Sequence, residues 1–166
     1  MSELTQVERR IVKALDSILD SKVAASASDY EWTVAVKRQL GKVGLERGYS
    51  VCATDGGGKY ESEWLFDLIW YTNDSQDNLE NIQLIAEVEW AMSYDEIQYD
   101  FEKLKAGRAD LRVLIFQAPD RQKIDEYMRR FIKNIAAFKY SMRGDRYLFA
   151  AYDQRSEVFE YRVFEY

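Results

Sequence analysis

Three carboxylates stand where chemistry could be done. In the stretch LIAEVEW, residues 84–90, Glu87 and Glu89 interrupt an otherwise apolar run. Side chains of a strand repeat every second residue, so both acids fall on one face. Asp67 is the single acid in the preceding apolar run, LFDLIWYT. If the polar loop at 73–81 closes a symmetric hairpin about residue 77, Asp67 lies opposite Glu87, with Cβ atoms roughly 5 Å apart. A one-residue slip would turn Asp67 to the other face. At ~5 Å and an effective dielectric near ~20, two ionised carboxylates repel by about 3 kcal/mol. Shared protons or a divalent cation relieve such crowding. Oxygen-only ligands favour Mg²⁺ or Mn²⁺, whose open positions a substrate phosphate can fill. The reaction class that follows is metal-assisted phosphodiester hydrolysis. Two plainer arrangements fit the same residues: pairing of the acids with Lys or Arg from a covering helix, and a strand end left in water.

The elements that must position these acids are legible in the periodicity. Thr5-x-x-Glu8 opens a helix to about residue 20, and Ser28-x-x-Glu31 opens a second over 29–47, stopped by Gly48. YSVCAT reads as a short strand, DGGGKYES as a turn-rich loop, and 63–72 as a long apolar strand. The strand bearing Glu87 spans 82–90. A third box, Ser93-x-x-Glu96, starts a helix to about 106, and LRVLIFQ (111–117) is another buried strand. Asp120 caps a helix to about 138, and RYLFAAYD with VFEYRVFEY makes a closing hairpin. The expected fold is α/β. Its mixed central sheet is flanked by helices in the core order α-β-β-β-α-β, with an added N-terminal helix and a C-terminal helix plus β-hairpin.

Composition narrows the chemistry further. A chain of 166 residues, 47% hydrophobic with a single proline, fits one domain, residues 1–166, with a sizeable core. No run approaches the ~20 apolar residues that span a bilayer, and the N-terminus does not read as a signal peptide, so no membrane association is expected. Histidine is absent and Cys52 is the lone cysteine. Ser-His-Asp and Cys-His catalysis, histidine-ligated zinc and cysteine metal cages are therefore excluded, and a reducing cytoplasm is the expected location. The net charge of -6 counts against broad coating of nucleic acid. Its distribution is uneven: residues 55–102 hold many acids against Lys59 alone, whereas 121–146 are predominantly basic. A metal site beside a phosphate-binding surface would look like this, and so would two ordinary solvated faces.

The order of elements and the placement of Asp67, Glu87 and Glu89 resemble the PD-(D/E)XK nuclease superfamily, whose fold is that of type II restriction endonucleases. The resemblance covers about residues 29–117 and rests on order and spacing. It implies that Asp67 and Glu87 ligate Mg²⁺ or Mn²⁺ and that Glu89 joins them as the third catalytic residue. Glu89 stands where the family places a lysine that helps position or activate water. In some members the lysine sits on the following helix, where Lys103 and Lys105 are candidates, Lys105 lying nearer the flank of the apolar stripe. Glu31 is the candidate acid from the first core helix, although its spacing from Ser28 makes it a capping-box residue first. Gln98 could approach from the second core helix.

GGGK at 56–59 lacks phosphate-loop spacing and precedes a strand, so a Walker-type role is rejected. Trp90 and Tyr94 could stack on a base or belong to the core. Arg129, Arg130 and Lys133 fall on the polar face of their helix, free for solvent or phosphate. The expected function is a divalent-metal-dependent nuclease acting on nucleic acid, DNA ahead of RNA by family weight alone, and the sequence leaves a homodimer open. The alternatives are a catalytically inactive nuclease-fold protein that binds or regulates, and an unrelated acidic α/β protein that binds a protein partner.

Overall fold

The computed structural model describes residues 3–20, 28–57 and 62–166. Most of the small-residue loop after the first helix, and Lys59 and Glu61 of the glycine-rich loop, lie outside the described residues. The first two helices, α1 (Gln6–Leu19) and α2 (Asp29–Glu46), start at complete capping boxes on Thr5 and Ser28. A short strand β1 (Ser50–Cys52) leads to the hairpin β2 (Leu68–Asn73) and β3 (Leu79–Glu89). Helix α3 (Tyr94–Ala106) crosses to β4 (Leu111–Ala118), and α4 (Arg121–Ala137) crosses to the hairpin β5 (Arg146–Asp153) and β6 (Val158–Glu165). At Ser93 only half of the third box forms, because the Glu96 carboxylate meets the Ser93 hydroxyl.

The six strands form one open mixed sheet in the order β1-β2-β3-β4-β5-β6. The β3/β4 and β4/β5 pairs are parallel, and the hairpins are antiparallel. Helices α1 and α2 cover one face through Ile11, Leu15, Val36 and Leu40. Helices α3 and α4 cover the other through Ile97, Phe101, Ile124 and Phe131. The expected α/β sheet with helices on both faces is therefore the observed one. Among the described residues, no helix is long and apolar enough to cross a membrane.

Two corrections bear on the site. The apolar strand expected over 63–72 begins only at Leu68. Before it, Trp64 and Phe66 bridge one another around Leu65, whose φ of 69° lies in the left-handed region that a branched side chain rarely occupies. Asp67 thus precedes its strand. The hairpin loop is also tighter than 73–81: Asp74 accepts the backbone N–H groups of Gln76 and Asn78, closing the turn so that β3 starts at Leu79. That loop centres on Gln76, one residue before the expected midpoint. Irregularities at Trp70/Tyr71 and Thr72/Asn73 absorb the difference, so Leu68 still pairs with Ala86. One step past that last pair lie Asp67 and Glu87.

Candidate active site: a carboxylate–lysine cluster at the end of β2

Strand alternation sends Ala86 to the α1/α2 face and Ile85 to the α3/α4 face. Glu87 follows Ile85 to that second face, where it is 1% exposed. Its partner comes from the covering helix: Lys103 Nζ lies 2.7 Å from Glu87 Oε1 and 3.2 Å from Asp100 Oδ1. The ammonium sits off the direction of a good hydrogen bond to Glu87, so this buried oxygen has no aligned donor. Burial pushes the Glu87 carboxyl up to about 8; Lys103 opposes the shift and Asp67 adds to it. Burial pulls the Lys103 ammonium down, but Glu87 and Asp100 outweigh it and the net direction is upward.

Asp67 is held differently. Its Oδ2 accepts the Val88 backbone N–H at 2.8 Å, doing beyond the last ladder pair what a strand carbonyl would have done. Its Oδ1 lies 3.7 Å from Lys37 Nζ. Lys37, from α2, is only 6% exposed and contacts Glu63 Oε1 at 2.5 Å. Burial raises the Asp67 carboxyl, while the Val88 N–H and Lys37 pull it down. Glu89, half-buried, accepts the Ala91 N–H at 2.6 Å. Burial raises its carboxyl too, and the nearby Asp100 raises it further. The cluster runs Lys37–Asp67, then Glu87–Lys103–Asp100, with Glu89 at its far end.

The structure brings Asp67, Glu87 and Glu89 to one neighbourhood and leaves the supporting candidates elsewhere. Lys105 lies on the other flank of α3, where it donates to Asn134 and covers the Phe138 ring at 4.8 Å; the lysine at the acids is Lys103. Glu31 is spent on its capping box, with its carboxylate on the Ser28 backbone N–H and hydroxyl. Gln98 donates to Glu102 on its own helix. Arg129, Arg130 and Lys133 are exposed on α4, with Arg130 over the Tyr94 ring. Tyr94 and Trp90 are core residues: Tyr94 stacks on Phe131, and the Trp90 indole N–H donates to Thr33.

The sequence reading did not single out Lys37, Glu63 or Asp100. Their one signal was position, since Lys37 borders the Val36–Leu40 stripe and Asp100 stands three residues before Lys103 on one helix.

Oxygen donors suit a hard cation. Among the described residues no group of three or more acids is gathered to hold one. Asp67 and Glu87 supply two carboxylates, one with a buried oxygen lacking an aligned donor. Two suffice for Mg²⁺ or Mn²⁺, which commonly take one or two carboxylates and fill the rest with water and substrate phosphate. Comparison with family models, with curated proteins and with solved structures found no match for the chain.

Proposed function

We propose that this protein is a divalent-metal-dependent nuclease of the PD-(D/E)XK kind, hydrolysing phosphodiester bonds in DNA from a cytoplasmic location. One observation carries the reading: Asp67 is drawn out of its strand onto the Val88 N–H, beside a buried Glu87 that burial keeps from ionising readily. Strongly shifted carboxyls cluster at functional sites. Asp67 and Glu87 would hold Mg²⁺ or Mn²⁺, which supplies Lewis-acid stabilisation of a phosphoryl oxygen. Lys103 keeps its proton beside Glu87 and would offset charge at the phosphate, the part the motif lysine would otherwise play. Glu89, its carboxyl raised and anchored on the Ala91 N–H, would orient or deprotonate water.

A second reading has its own support. Lys37 and Lys103 already neutralise acids that a cation would otherwise serve, which suits an inactive nuclease fold used for binding or regulation.

The test couples two measurements. A melt with and without Mn²⁺ should show a shift, since saturation at 100 times Kd adds about 2.7 kcal/mol, and Asp67→Ala should abolish it. Plasmid, single-stranded DNA and RNA should then be cleaved by the wild type and not by Glu87→Ala. A metal shift without cleavage would favour the second reading. No shift and no cleavage would remove the nuclease reading.

A further inference from the structure

Where β4 and β5 begin, a cavity of about 330 Å³ opens between the last turn of α3 and the connection from α4 to β5. Lys105, Arg108, Arg112, Phe138, Tyr140 and Asp145 line it. Its charge is not balanced. Asp145 is committed, with Oδ1 at 3.1 Å from Arg112 and Oδ2 accepting the Met142 N–H at 2.8 Å. Arg112, 4% exposed, also donates to the carbonyls of Gly107 and Ala109, just past the end of α3.

Lys105 and Arg108 remain. Lys105 contacts the Asn134 amide oxygen and the Phe138 ring, and among the described residues Arg108 meets the thioether sulfur of Met142. Among the described residues neither forms an ion pair with a carboxylate. Two cations with neutral partners leave this cavity positive in a chain of net charge -6, which suits an anionic ligand. Beside them Tyr140 is 69% exposed, forms a T-shaped pair with Phe138 at 5.8 Å between centroids, and has the Lys139 ammonium 5.9 Å from its ring centre, so an aromatic ring with a third cation beside it stands in solvent at the cavity.

We propose that this cavity binds a nucleoside phosphate, either a free nucleotide or one unit of a nucleic-acid strand. The phosphate sits between Lys105 and Arg108, and Arg108 exchanges a weak sulfur contact for a charge-assisted pair of hydrogen bonds. The base stacks on Tyr140. The cavity's size lies at the small-ligand end of the usual range. None of its lining residues belongs to the carboxylate cluster, so the proposal does not rest on nuclease activity.

Calorimetric titration at low salt tests it, with adenosine 5′-monophosphate, inorganic phosphate and a short 5′-phosphorylated oligodeoxyadenylate as probes. The monophosphate, the oligonucleotide or both should bind saturably. Arg108→Ala and Lys105→Ala should each weaken that binding about tenfold, the loss expected for one charged hydrogen bond, with the melting temperature unchanged. Tyr140→Ala should weaken the nucleotide probes and leave inorganic phosphate unaffected. Lys42→Ala, on α2, should leave binding intact. Binding of the oligonucleotide alone assigns the cavity to a strand unit; binding of the monophosphate assigns it to a free nucleotide. No saturable binding of either nucleotide probe, or binding indifferent to Arg108→Ala and Lys105→Ala, would overturn the proposal.

Discussion

Glu87 concentrates the electrostatics of the site in one residue. Burial holds its carboxyl at about 8 against an ordinary 4.5, so the folded chain binds this proton more tightly than the unfolded chain. Its stabilising contribution is complete below the unfolded value and is lost as pH rises through about 8. Gln cannot ionise, so Glu87→Gln should track the wild type near pH 4. By pH 8 it should be more stable by something on the order of 4 kcal/mol in urea melts without added metal. A gap that does not change with pH would mean that Lys103 keeps Glu87 ionised throughout. The sequence placed Glu87 and Glu89 on one face because strand alternation is unforgiving. It could not name the lysine, because helical spacing marks two flanks of α3 without saying which meets β3 and which meets α4. Lys103 has the first flank and Lys105 the second.

Elements set the register that brings the acids near one another, and symmetric-hairpin counting reaches Leu68 opposite Ala86 for an incomplete reason. Asp67 meets β3 near Val88 although its strand has not begun and the hairpin loop is centred one residue early; two irregularities cancel the error. Neither the left-handed Leu65 nor those irregularities leaves a glycine or proline to announce it. The seat of β2 on α2 is more legible in retrospect. Gly44 faces the Trp70 ring so closely that a Cβ there would lie 2.6 Å from the indole nitrogen. Gly44→Ala should therefore cost about 1–3 kcal/mol in urea melts, against the usual helix preference for alanine. Because β2 carries Asp67 to the cluster, the variant should also lose part of any Mn²⁺-induced shift. A stabilised variant would mean that α2 can move off the sheet freely.

At the scale of the whole molecule, residues far apart in sequence are clasped across the α1/α2 layer by one buried ion pair. Glu8 is fully buried, and Arg146 at the start of β5 grips both its oxygens, with Nε at 2.7 Å and Nη2 at 2.9 Å. The same carboxylate closes the capping box of α1 on the Thr5 N–H, and Arg146 reaches on to Glu165 of β6. A sequence reading sees the capping box and nothing of the arginine, since no local period links positions 138 residues apart. Burial pushes the Glu8 carboxyl up, but Arg146 and Thr5 outweigh it, and the net direction is downward. The sign follows: this contribution is present above about 4.5 and is lost as pH falls through the lower folded value. Glu8→Gln should thus cost about 2 kcal/mol at pH 7, because it takes away one of the two carboxylates that hold a half-buried guanidinium, and the cost should shrink toward pH 3. Replacing both partners, Glu8→Met with Arg146→Leu, should recover much of the loss, since desolvating two charges offsets most of their attraction. Equal costs for Glu8→Gln at pH 3 and pH 7 would reduce the clasp to side-chain contact. A pH-dependent cost with no recovery in the double variant would make the ion pair itself what joins α1 to the sheet.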